Sequence, residues 1–185
     1  MENLFFNRKD LKYCGENVII GKTVRIRKPS EVSIGDGTII DDFTYISCGM
    51  TIGKYCHIAS NVSISGGAGH FSMGDCSTIS NGSSIHCASS NYTEIGLDLP
   101  SVPSEYQFGG EVGNILIGKF VVIGAHSCIL PNANIPDGVT FGAYTLIKPY
   151  NYLPYHCYVN TFDKKYKDLG ERLGLEKLDK IKQIL

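Results

Sequence analysis

An aliphatic or aromatic side chain recurs at every sixth position along most of this chain, and few folds tolerate that spacing. Ile34, Ile40, Ile46, Ile52, Ile58 and Ile64 run without a break. The series resumes at Met73, Ile79 and Ile85, then at Ile117, Ile123, Ile129, Ile135, Phe141, Ile147 and Leu153. Four positions after most rungs stands a second small or β-branched residue: Thr38, Thr44, Cys56, Val62, Ser77, Ser83, Val121, Ser127, Ala133, Val139 and Thr145. Gly often follows the rung directly, as at Gly35, Gly53, Gly118, Gly124 and Gly142. A helix repeats its face every 3.6 residues and a strand every two, so neither accounts for a period of six. A solenoid does, with short strands alternating with tight turns and three hexads closing one coil. Rung and second site then point inward and stack on the coils above and below, which suits β-branched side chains. Gly, Asn and Asp between them are expected to supply the turn conformations.

The chain of 185 residues is long enough for one continuous core. Its formal net charge of −1 offers no bulk attraction to nucleic acid or to an anionic membrane. No apolar run is long enough for membrane insertion, and no secretory pattern follows Met1, so a cytoplasmic protein is expected. Residues 1–17 read as an N-terminal cap. The seven Cys form no Cys-x-x-Cys pair. Cys56 falls on an inward site, and Cys48, Cys87 and Cys128 lie within the coils. All read as small apolar fillers in a reducing compartment.

Two breaks interrupt the ladder. Between Ile64 and Met73, "SGGAGHFS" adds three residues to the usual six. Between Ile85 and Ile117 lies a long insertion, at about 87–114, rich in Pro, Gly and aromatics. Each coil of a solenoid needs only its own hexads, so such loops collect where function sits. After Asn160, Leu169, Leu173, Leu178, Ile181 and Leu185 fall at helical intervals, predicting a C-terminal α-helix over 161–185 that caps the last coil.

His86 follows rung Ile85 and opens the insertion, so its ring is expected to point outward at the loop base. Neutral imidazole is the side chain best matched to taking a proton near pH 7. Cys87 is its neighbour, but successive strand residues face opposite ways. No covalent nucleophile is therefore indicated. His70 sits in the glycine-rich break, His126 in a turn, His57 between rungs and His156 beyond the last full coil. No metal site is expected, because catalytic zinc needs converging imidazoles.

The run "IGAHSCILPNANIPDGVTFGAYTLIKP" (Ile123 to Pro149) resembles the hexapeptide-repeat acyltransferases, and the resemblance extends over 18–160. It implies an all-β solenoid in the form of a left-handed parallel β-helix; the hand comes from the resemblance alone. "NGSSIHCASSNYT" looks like the site of sugar and xenobiotic acetyltransferases of this family, which implies that His86 is the general base. Related hexapeptide carbonic anhydrases carry a second His five residues on, where this chain has Asn91. The resemblance implies acetyl-CoA as co-substrate, with Gly124-Ala125 and Gly142-Ala143 as its contacting turns. It places Lys148 beside the pantetheine and phosphates. Lys164 and Lys165 match the basic residues beyond the last coil only loosely. It further implies a homotrimer with the sites between subunits.

The insertion looks like the loop of bacterial surface-polysaccharide acetyltransferases. Asn91, Tyr92, Asp98, Glu105 and Tyr106, with His70, are the candidate acceptor-binding residues, since their hydroxyl, amide and ring groups suit a sugar. The expected activity is O-acetylation of a sugar or sugar derivative by direct transfer. Two alternatives stand beside it: N-acylation of a nucleotide-linked amino sugar, and a non-catalytic β-helix scaffold.

Overall fold

The computed structural model describes residues 2–90, 101–107, 109–160 and 165–172. The hexads wind into a parallel β-helix with three faces. The first face stacks Tyr13–Cys14, Val32–Ile34, Gly49–Ile52, His70–Met73, Ile115–Ile117 and Asn134–Ile135. The second stacks Ile19–Ile20, Ile39–Ile40, His57–Ile58, Thr78–Ile79, Val122–Ile123 and Thr140–Phe141, and then His156–Asn160 and Tyr166–Glu171. The third stacks Arg25–Ile26, Tyr45–Ile46, Ser63–Ser65, Ser84–His86, Cys128–Ile129 and Leu146–Ile147. Rung pairs with rung in register, as Ile34 with Ile52, Ile52 with Met73 and Met73 with Ile117. The first strand, Tyr13–Cys14, lies inside the segment the sequence assigned to the cap, whose other element is a 3₁₀ turn at Arg8–Asp10.

Every rung from Ile34 to Ile147 is buried. The second sites are buried too, and their hydroxyls reach corner carbonyls: Thr38 Oγ1 donates to Gly53 O at 2.9 Å and Ser77 Oγ to Gly118 O at 2.8 Å. A hydroxyl in the core is costly only when it has no partner. Leu153 breaks the pattern at 53% exposed. Beyond Pro149 the chain leaves the third face, and Tyr152 turns inward instead, edge-on to Phe141 with ring centroids 5.0 Å apart.

The corners correct one expectation. Ten described residues other than Gly have positive φ, and they include Phe43, Tyr55, Cys76, Phe120, His126, Tyr144 and Tyr155 as well as three Asn. A left-handed backbone costs such a side chain roughly 1–2 kcal/mol. Stacking against the adjacent coil offsets that cost. At Gly82 (φ 69°) an added Cβ would lie 2.4 Å from the His126 ring, so the aromatic of one coil fills the space left by glycine in the next.

The C-terminal helix expected over 161–185 is corrected at 166–171. Tyr166–Glu171 is a strand, antiparallel to His156–Asn160; 161–164 and 173–185 lie outside the described residues. Among the described residues no strand follows Leu146–Ile147 on the third face, and exposed edges need partners. The Tyr166 hydroxyl stands in for that strand. It accepts the Lys148 N–H at 2.9 Å and donates to Leu146 O at 2.7 Å. Its ring joins Tyr150, Tyr152 and Tyr158 in a plug over the open end. Among the described residues, no helix is long and apolar enough to cross a membrane.

Candidate active site

Both breaks in the ladder fall at the corner between the third and first faces. In one coil the corner is Gly66-Gly67-Ala68-Gly69; in the next it opens into the insertion. Gly66 has φ 108°, and a Cβ there would stand 2.4 Å from the Ala88 nitrogen, so a side chain would displace the strand that carries His86. Cys87 N–H donates to Ser65 O at 2.7 Å, and Gly113 N–H donates to Cys87 O at 2.9 Å. Ala88–Ser89 then pairs antiparallel with Glu111–Val112. The insertion therefore leaves and returns as a short ribbon pinned to the solenoid. It encloses a cleft of about 630 Å³ lined by Ala68, Ala88, Ser89, Ser90, Ser104, Gln107, Gly109, Gly110, Glu111 and Val112. That is the size range of small-molecule sites.

His86 ends its strand two residues before Ala88 and, like His70, is not itself among the residues that line this cleft. Ile85 and Cys87 on either side are fully buried, and strand alternation turns the imidazole out, half-buried. Ser65 lies directly opposite on the preceding coil. Its Oγ is 3.2 Å from His86 Nδ1 and within 3.3 Å of Ile85 O, to which it donates. With its one proton given to that carbonyl, Ser65 Oγ accepts from Nδ1–H. Nε2 is then the basic nitrogen. On the following coil Cys128 lies opposite Ser84, the residue two before His86, and its sulfur interacts electrostatically with the same ring. That contact holds the His86 pKa above its ordinary value, against the desolvation that pulls it down. The Cys128 thiol is lowered in turn, first by the imidazole.

Cys128 is thus not a filler. It sits on the outward side of the third face, unlike Cys56, whose burial pushes its thiol up to about 11. Neither Ser65 nor Cys128 was identified from the sequence. The signal existed in the register, since both occupy outward positions on coils next to His86, but the insertion hides which hexads become neighbours.

The candidate cofactor residues divide between two corners. Gly124-Ala125 and Gly142-Ala143 are stacked turns at the corner between the second and third faces, packed so closely that a Cβ on Gly124 would meet the Ala143 nitrogen at 2.4 Å. They form a smooth small-residue wall flanked by the stacked rings of His126 and Tyr144, whose centroids are 5.1 Å apart. In one chain that corner is at the far end of the third-face strands from His86, roughly 16 Å away for five extended residues. Lys148 is exposed at the His86 end, two coils on, or about 10 Å along the stack. Lys165 precedes the last strand and is exposed; Lys164 lies outside the described residues.

Among the acceptor candidates, Asn91, Tyr92 and Asp98 lie outside the described residues. Glu105 and Tyr106 are exposed on a 3₁₀ turn whose first residue, Ser104, lines the cleft. His70 is turned onto the first face, its Nε2 2.9 Å from Thr51 Oγ1, and is not among the lining residues. One lining residue escaped the sequence reading. Glu111 is the sole ionisable side chain among the ten, and Asn132 Nδ2 donates to its Oε1 at 2.7 Å. Among the described residues no group of three or more His, Cys, Asp or Glu is arranged to hold a metal ion.

A family model described as bacterial transferase hexapeptide (six repeats) matches residues 31–66. The dTDP-4-amino-4,6-dideoxy-D-glucose acyltransferase of Escherichia coli is 33% identical over 151 residues, covering 80% of this chain and 78% of that one. The chain belongs to the hexapeptide-repeat acyltransferases. This acyltransferase superposes on AntD, an N-acyltransferase from Bacillus cereus in complex with dTDP and 3-hydroxybutyryl-CoA, with a TM-score of 0.84. The two are 29% identical over 98% of each chain. A substituted form of AntD, in complex with dTDP-4-amino-4,6-dideoxyglucose and coenzyme A, fits equally at 28% identity over 100% of both chains. A maltose O-acetyltransferase from Clostridium difficile shares the fold at 15% identity, with a TM-score of 0.54 over 89% of this chain and 71% of that one. The solenoid is accordingly a left-handed parallel β-helix, and the protein is a CoA-dependent acyltransferase.

Proposed function

We propose that this acyltransferase moves an acyl group from acyl-CoA to the amino group of a nucleotide-linked amino sugar, with His86 as general base. The observation that carries the reading is the placement of His86 at the base of the insertion, half-buried and hydrogen-bonded to Ser65, two residues before the cleft residue Ala88. The amine attacks the thioester carbonyl, its proton passes to Nε2, and the CoA thiolate leaves. An amine attacks only once it is deprotonated, which gives the imidazole its task. The sequence favoured a hydroxyl acceptor. The Escherichia coli relative is named for a dTDP-linked amino sugar and a substituted AntD binds one, and that moves the preference to nitrogen.

In this reading Gly124, Ala125, Gly142 and Ala143 line the cofactor groove, with Lys148 and Lys165 toward its phosphates. Their separation from His86 within one chain supports a homotrimer in which a neighbouring subunit brings the groove to each base. Incubating the protein with dTDP-4-amino-4,6-dideoxyglucose and either acetyl-CoA or 3-hydroxybutyryl-CoA, followed by product mass spectrometry, tests it. An amide product whose formation needs His86 supports the reading. Acylation only of an acceptor whose amine is replaced by a hydroxyl would sink it.

A further inference from the structure

We propose that Glu111 is the residue that selects an amine over a hydroxyl in the acceptor. The inference rests on the amino-sugar reading and goes beyond it by naming the group that enforces it. Among the described residues that line the cleft, Glu111 is the one ionisable side chain; 91–100 and 108, in the same insertion, lie outside the described residues. It is not a stray surface carboxylate. Its backbone is fixed in the ribbon opposite Ser89, three residues beyond His86, and Asn132 of the next coil holds Oε1. A carboxylate accepts more hydrogen bonds than the one Asn132 supplies. Glu111 is exposed, and the other described residues of the cleft are small, hydroxylic, amide or apolar in character. An ammonium entering that cleft gains a complementary charge from Glu111, and a hydroxyl in the same place gains only a neutral donor's bond.

The rest of the acceptor fits the same polarity. A nucleotide diphosphate is repelled by a carboxylate, so the sugar end is the end that lies against Glu111. Arg27 stands in the same outward column as Ser47, Ser65 and His86, three coils down, or roughly 14 Å at the strand spacing. Exposed Lys28 beside it donates to Gly67 O at 2.8 Å, next to the cleft residue Ala68. Arg27, and Lys28 with its partner Glu31, lie on the coils below the cleft, and Glu111 lies at the cleft on the ribbon, a placement suited to a ligand that carries a diphosphate and an ammonium.

The test is equilibrium binding without acyl-CoA, by calorimetry, on the intact protein and on Glu111→Gln. The probes are dTDP-4-amino-4,6-dideoxyglucose, its analogue with a hydroxyl in place of the amine, and dTDP alone. The unaltered protein is expected to prefer the amine, and Glu111→Gln to lose roughly 10–100-fold in affinity for the amine alone, the range of hydrogen bonds to charged groups. Affinity for dTDP and for the hydroxyl analogue should stay within about threefold. Asn132→Ala, which frees the carboxylate from its anchor without removing its charge, should give an intermediate loss. A preference that survives in Glu111→Gln overturns the proposal, as does its absence in the unaltered protein or an equal loss for all three probes. Product analysis on the unaltered protein separates the two ideas. With no amide formed, the N-acylation reading fails whatever Glu111 does; amide formation with an unchanged Glu111→Gln preference overturns only the role given to Glu111.

Discussion

The corner between the second and third faces and the corner between the third and first are made from the same hexads, yet one is closed and the other open. At the first of these, Phe43, Asn61, Gly82, His126 and Tyr144 repeat one left-handed turn in coil after coil. At the second, Ser47-Cys48 is a minimal connection, the next coil has four glycine-rich residues, and the one after carries the whole insertion. A solenoid coil touches only its neighbours, so irregularity at one corner leaves the rest of the stack intact. Extending a loop costs only a slowly growing entropy. Regular corners therefore build the rod, and the irregular one holds His86 and the cleft, where the chemistry is proposed to take place.

The strongest way to break that comparison is to damage the regular part. Ile46→Asp, in a fully buried rung, should prevent folding, because a lone carboxylate there has no partner. Lys54→Ser removes only an exposed pair with Asp36 and should cost under about 1 kcal/mol by chemical denaturation. Equal stability of the two variants would show the inward register to be wrong. At the open corner the effect should appear in rate instead. His86→Ala is expected to lower kcat by about 10²–10⁴-fold with an unchanged melting curve, and near-normal turnover would remove the general base.

Mixing tests whether the two corners meet across subunits. Inactive His86→Ala and Ala125→Trp chains, refolded together in equal amounts, should regain roughly a quarter of the intact sites, the product of two independent halves in a cyclic trimer. No recovery, or full activity in a monomer, argues for a site within one chain. A smaller change concerns the end of the rod. Tyr166→Phe removes the hydroxyl that replaces a strand, and should lower stability by about 1–3 kcal/mol while His86-dependent turnover stays within a few-fold.

The smallest effect is in pH dependence. A base works unprotonated, so a raised His86 pKa moves the acid limb of kcat/KM upward from the 6.5 of a free imidazole. Cys128→Ala removes the first cause of that rise and should move the limb back down. A limb that does not move would mean that Cys128 does not tune the base.

Much of this was legible in the chain, for identifiable reasons. The inward positions followed from the period alone, because a solenoid repeats one environment and every rung reports it. His86 stood out because it broke the pattern at an insertion. The strand at Tyr166–Glu171 was not legible, since leucine spacing suited a helix and what holds these residues as a strand is the open edge of His156–Asn160 on the second face. Ser65, Cys128 and Glu111 were missed because their meaning depends on which coils become neighbours across breaks of unequal length.

The sequence by itself determined the rod, its faces, and the corner where it opens, since the hexad fixes each of these locally. The tertiary structure decided what surrounds His86, how the insertion folds back through Asn132, and how the last coil is closed. Those depend on contacts between residues distant in the chain, where side-chain reach and the demand for hydrogen-bond partners choose the neighbours.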